Sequence, residues 1–200
     1  MALGKGYLSK VEIEVEQATN FPAKKGITQP VVFEIGSNRE MYIEAILRKI
    51  PSCAIYAFEP NRESFEILFK KFLGWGQVRA YKLALGYGAS QEILYKDAQG
   101  RSLASLTPRN FEHLQINQQE CIERVSMTSV DDFVMTERIY PDFLKIDVEG
   151  FELEVLKGAR TTLQNDSLIQ FEFGGTYTDS RIYFRDSYDL LSKKVLGLIA

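Results

Sequence analysis

Apolar residues along this chain recur in two rhythms, short unbroken runs and runs spaced three or four apart, and the two alternate. Val31-Val32-Phe33 leads through Glu34-Ile35 into Gly36-Ser37-Asn38, and Met41, Ile43, Ile46 and Leu47 follow at helical spacing. Ala54-Ile55-Tyr56-Ala57-Phe58 is the next run and stops at Glu59-Pro60-Asn61. Ser64, Phe65, Ile67, Leu68 and Phe72 then trace a helix closed by Gly74-Trp75-Gly76, with Trp75 read as a packing residue at the corner. Val78 to Leu85 predicts a third strand, Glu92 to Tyr95 a short antiparallel one, and Ile122 to Met127 another. Ser129 is placed to cap a short helix begun by Val130-Asp131-Asp132-Phe133. Phe143, Leu144 and Ile146 form a buried strand ending in Asp147 and Glu149, and Phe151, Leu153, Val155 and Leu156 share one face of the helix that follows. Ser167 to Phe173 and the stretch around Ser187 to Lys194 predict a last strand and a last helix.

Strands alternating with helices predict an α/β fold with a doubly wound, mostly parallel sheet. Before it, Val11, Ile13 and Val15 alternate with glutamates, a strand periodicity with a solvated face, and Pro22, Gly26 and Pro30 interrupt the chain. Residues 1–29 are therefore expected to form an amino-terminal arm, either an edge strand or a cap over the cleft, and residues 30–200 the main domain.

Open α/β sheets bind ligands beyond the carboxyl ends of their strands, where this pattern places Glu59, Asp147 and Glu149. Gly36 permits a turn that a side chain would obstruct. An acid at the end of the second strand, about twenty residues after the glycine turn, is where doubly wound folds hold the ribose hydroxyls of a nucleotide. Small-molecule chemistry is the expectation.

Taken together, VVFEIGSN, YAFEPNRESFEIL, LALG and DFLKIDVEGFELEVLKGA resemble, in this order and spacing, the FkbM family of S-adenosylmethionine-dependent methyltransferases over roughly residues 30 to 190. The KIDVEG segment followed by ELEVLKGA is the most specific part. The resemblance implies a class I methyltransferase fold, Rossmann-like, with S-adenosyl-L-methionine as cofactor and O-methylation of a sugar, glycan or secondary metabolite as the activity. It further implies that Glu34, Gly36 and Asn38 line the methionine end of the cofactor and that Glu59 holds the ribose. Pro60 and Asn61 would shape the adenosine side, Leu85 and Gly86 would lie near the adenine, and Asp147 would face the reaction centre. The family pattern has a second glycine where this chain has Arg39-Glu40-Met41. Glu40 there either intrudes on the cofactor's carboxylate, which would leave a binding relic, or points outward in a first helical turn, where negative charge is favoured. The usual terminal hairpin of the fold also has little chain left to form it.

Methyl transfer asks a protein chiefly to align an acceptor oxygen and remove its proton. Asp147 is the leading candidate base, with His113, the only histidine, and Glu172 behind it. The competing readings are a structural carboxylate that caps a helix or binds a lysine, and a surface histidine in Asn110 to Leu114. Glu149 and Glu152 are assigned to the first turn of the following helix, and no metal site is assigned. A nicotinamide-dependent oxidoreductase would want Gly-x-Gly-x-x-Gly at the first turn, and only Gly36 is present. Glu34 would also repel a pyrophosphate, whereas it suits a cationic amine. Residues 98 to 120 are the natural place for acceptor recognition, and Tyr177, Tyr183, Phe184 and Tyr188 are candidates to stack on a sugar.

A net charge of −3 argues against nucleic acid as the main partner. Cys53 and Cys121 have neither redox nor metal spacing, and no apolar run is long enough to span a bilayer. The expectation is a cytoplasmic, one-domain enzyme acting on a small-molecule or glycan acceptor.

Overall fold

The computed structural model describes residues 5–37, 41–96, 104–106, 121–165, 167–171 and 184–192. Five strands form a parallel sheet: β1 (Val31–Ile35), β2 (Ala54–Phe58), β3 (Val78–Tyr81), β7 (Phe143–Ile146) and β8 (Leu168–Phe171), in the order β3-β2-β1-β7-β8. The order reverses between β1 and β7, the switch point at which such sheets open a crevice. Three further strands, β4 (Ala84–Gly86), β5 (Ser90–Lys96) and β6 (Cys121–Ser129), make a second sheet in the order β4-β6-β5.

Burial on both faces explains why the parallel strands read as near-continuous apolar runs. One face carries Val32, Ile55, Ala57, Val78, Phe143 and Leu168 and is covered by α1 (Lys5–Lys24), α2 (Met41–Lys49) and α3 (Arg62–Lys71). The opposite face carries Phe33, Ile35, Tyr56, Phe58, Leu144 and Ile146 beneath α4 (Val130–Glu137), α5 (Glu152–Lys157) and α6 (Phe184–Ser192). There the rings of Phe33, Phe58, Tyr81 and Phe133 meet at centroid distances of 4.8–5.6 Å, the edge-on or offset range that aromatic pairs favour.

Two elements differ from the sequence expectation. Residues 5–24 are a helix, not an edge strand. The alternation at Val11, Ile13 and Val15 is too short to separate the two periods, and the spacing that prevails is helical, with Val15 and Ala18 buried against α2. Gly26, at φ 70°, ends the helix in a Schellman motif: the Ile27 amide donates to the Pro22 carbonyl at 2.9 Å and the Gly26 amide to that of Ala23 at 3.1 Å. The run from Val78 to Leu85 is not one strand but two, β3 in the first sheet and β4 in the second, because apolar rhythm does not encode the pairing partner. Ser129 caps α4 as expected, its hydroxyl accepting from the Asp132 amide at 2.9 Å. The expected shortfall of a terminal hairpin falls on residues 172–183 and 193–200, outside those described.

Candidate active site

The carboxyl ends of β1, β2 and β7 are tied together through backbone. Gly36, at φ 88°, donates its amide to the Phe58 carbonyl at 2.9 Å, and the Asp147 amide donates to the Ile35 carbonyl at 2.9 Å. A Cβ on Gly36 would run into the carbonyl oxygen of Asp147. Both the left-handed φ and this approach require glycine. The Ser37 hydroxyl donates to the Glu34 carbonyl at 3.0 Å and tightens the same turn.

Two carboxyl groups are buried beside this turn. Glu34, on β1, is 2% exposed, and its Oε2 has no hydrogen-bond partner among the described residues. Burial pushes its pKa up to about 8; Lys145 pulls it down, while Asp147 and Glu59 add to the rise. Glu59 follows β2, is 4% exposed, and accepts from the Asn61 amide at 2.8 Å. Burial lifts it to about 7, against the lowering by the Asn61 bond and together with the nearby Glu123. A buried carboxyl group left short of partners is costly unless a donor reaches it, so the pair suits a ligand bearing a cationic amine and hydroxyls.

Asp147 lies across the turn from Glu34. Its Oδ2 accepts from the Lys145 ammonium at 2.9 Å, and its side chain is 31% exposed, so it is paired with a lysine while still reaching the crevice. Pro60 is half-buried beside Glu59. Asn61 is the N-cap of α3, its side chain accepting from the Glu63 amide at 2.9 Å and the Ser64 amide at 3.4 Å. Leu85 belongs to the core under α4 and α5. Gly86 is packed where a Cβ would meet Met127 and Phe151, and its carbonyl lies against Gly158. The structure thus brings Glu34, Gly36, Glu59, Pro60, Asn61 and Asp147 to one rim and sets Leu85 and Gly86 in β4 of the second sheet. Asn38, Glu40, His113 and Glu172 lie outside the described residues.

The loop after Asp147 is held in an unusual form, with Glu149 at φ 57° and Gly150 at φ 98°. Glu152 folds back to accept from the Gly150 amide at 3.0 Å and the Val148 amide at 3.1 Å, while Ser105 donates to the Glu149 carbonyl at 3.0 Å. Glu152 stands in the first turn of the helix as expected and there clamps the loop, whereas Glu149, also expected in that turn, precedes the helix because the loop takes left-handed backbone there.

Three participants escaped the sequence reading. Lys145 interrupts the buried run Phe143, Leu144, Ile146, and a lysine there, two residues before Asp147, was a usable signal. Tyr42 and Gln170, joined by a 2.6 Å hydrogen bond from the Tyr42 hydroxyl to Gln170 Oε1, left none, since nothing local links positions so far apart in the chain.

Residues 34–194 match the sequence profile of the methyltransferase FkbM domain. The chain belongs to the FkbM methyltransferase family. No curated protein matches it. Among solved structures it is similar to Precorrin-6y C5,15-methyltransferase from Geobacter metallireducens GS-15, at 14% identity and a TM-score of 0.44, over 83% of this chain and 63% of that one. This chain therefore spans less than two thirds of that protein's length. The FkbM match begins at Glu34 and takes in every candidate site residue, while α1 precedes it. Among the described residues of this FkbM methyltransferase, no helix is long and apolar enough to cross a membrane.

Proposed function

We propose that this FkbM methyltransferase uses S-adenosyl-L-methionine to methylate a hydroxyl group of a sugar, glycan or secondary metabolite, as a cytoplasmic enzyme whose catalytic unit is residues 30–200. The observation that carries the cofactor assignment is the buried Oε2 of Glu34 beside the Gly36 turn, which has no hydrogen-bond partner among the described residues. A carboxylate there accepts from an ammonium group, and Glu59, at the end of the neighbouring strand, accepts from a pair of ribose hydroxyls. The rim formed by Gly36, Pro60 and Asn61 bounds the space between them. When bound, S-adenosyl-L-methionine supplies an electrophilic methyl group on its sulfonium. The residues of this chain then have two tasks, to align the acceptor hydroxyl and to receive its proton. Asp147, at the switch point and fixed through Oδ2 by Lys145, is the proposed proton acceptor. The net charge of −3 and the acids at the rim favour a small neutral acceptor over nucleic acid.

Calorimetric titration with S-adenosyl-L-methionine is the first test, and a folded protein that takes up none overturns the cofactor assignment. An acceptor screen over glycan precursors and hydroxylated metabolites, read by release of S-adenosylhomocysteine, then tests the reaction. Binding without turnover on any acceptor would favour a non-catalytic module.

A further inference from the structure

The strand register lines up Ala57, Glu34, Lys145 and Gln170 across β2, β1, β7 and β8 on the face covered by α1 and α2. Three polar side chains thus stand in a row where the rest of that face is apolar. Tyr42 reaches over the row from α2: its hydroxyl donates to Gln170, and the Lys145 ammonium lies 4.8 Å from its ring centroid, within cation–π range. Lys145 is itself buried and also donates to Asp147. One ammonium is therefore held under an aromatic lid between the acid proposed to meet the donor and the acid proposed to meet the acceptor.

We propose that Lys145 is a positioning residue for methyl transfer, its single buried cation orienting Asp147 and setting the charge on Glu34, so that donor and acceptor sides are electrostatically coupled. This rests on the reading above that Glu34 receives the donor's amine. Burial alone would drive Lys145 toward neutrality, but Asp147 and Glu34 outweigh it, with Glu14 of α1 contributing, and its pKa is raised, so the group stays charged. Among the described residues, the groups acting on Glu34 are Lys145 and Asp147 from β7 and its end and Glu59 just after β2; Tyr42 of α2 feels Glu34 and Glu14 in turn. Lys145 is the cation among these described groups, and it opposes the effect of burial on Glu34.

The test is the pH dependence of S-adenosylhomocysteine binding, a stable probe with the same amine and ribose as the donor. Glu34 must lose its proton to meet an ammonium, so the affinity of the parent protein should rise about tenfold per pH unit until a midpoint near 8, the slope expected for release of one proton. The probe's own amine titrates alike in every variant, so differences between variants report the protein. E34Q should abolish the component with its midpoint near 8 and leave only that of Glu59, near 7. K145M should move the midpoint upward by about one unit or more, K145R should hold it near the parental value, and K145M/E34Q should behave as E34Q. K145Q keeps a hydrogen-bond donor for Asp147 and removes only the charge, and so answers the same question if K145M fails to fold. A folded K145M or K145Q with an unmoved midpoint overturns the coupling while leaving the cofactor site intact. A parent protein whose affinity ignores pH, or an E34Q variant that keeps the component near 8, instead removes Glu34 from the donor's amine and takes both readings down.

Discussion

At the scale of single residues, substitutions at Glu59 and Asp147 test the proposed division between binding and chemistry. Glu59→Ala should weaken S-adenosyl-L-methionine binding by about 1.5–3 kcal/mol, the range for hydrogen bonds to a charged group, without a comparable loss of melting temperature. Titration and a thermal melt of the same sample check it. Asp147→Asn keeps the side chain's shape and removes its basicity, so turnover should fall about 10²-fold or more, with the donor still bound. Parental turnover in that variant would reassign Asp147 as the lysine's structural partner. The positions of these two acids were legible because acids ending apolar runs stand out against the strand pattern. Lys145 was legible in principle, as a charge inside such a run. Tyr42 and Gln170 were not, because their relation exists only after β1, β7 and β8 have paired. Asn61 was read through the family as a cofactor neighbour, and its capping of α3 became visible only with the helix in place.

At the scale of elements, the helices are held by side chains that satisfy backbone groups the helix cannot. Ser129 caps α4, and two residues on, in the first turn, the Asp131 carboxylate accepts from the amides of Thr161 and Thr162, each at 2.8 Å, fastening α4 to the segment after α5. Ser129→Ala should cost about 1 kcal/mol of stability, the usual value of an N-cap, measured by denaturant unfolding with an unchanged m-value. Serine before two acids and an apolar run announced this cap in the sequence. The amino-terminal helix was misread because five alternating residues fit both periods, and what decides between them is the surface of α2 that Val15 and Ala18 cover. The break between β3 and β4 was hidden for a related reason, since the partner strand β6 lies some forty residues further along the chain.

For the molecule as a whole, the two buried acids set a pH dependence opposite to that of most carboxylates. Glu34 and Glu59 have folded pKa values of about 8 and about 7, above the ordinary value of about 4.3 in an unfolded chain. The folded state therefore holds more protons than the unfolded state between these limits, and stability falls as pH rises through the window. Their contribution is fully present below about pH 4.3 and is lost by the time both acids ionise in the folded protein, near pH 8. Melting temperature should decline from pH 5 to pH 8, and Glu34→Gln should flatten the decline and melt higher than the parent at pH 8. A parallel decline in both proteins would show that Glu34 is not responsible.

The helix that precedes the family-matched span has a practical meaning for anyone cutting this gene. An expression clone trimmed to residues 34–194 follows the family boundary but strips α1 from the sheet and also removes part of β1. A gentler cut that starts at Ile27 keeps β1 whole and still uncovers the apolar side of α2 and the Leu168 end of β8. Fresh apolar patches of that kind draw other molecules onto the protein. We expect the shortened polypeptide to go largely to inclusion bodies, or to elute as large species on size exclusion, and the 200-residue chain to elute as a defined peak. A soluble, well-behaved product from the Ile27 start would mean that α1 is a removable cover rather than part of the core.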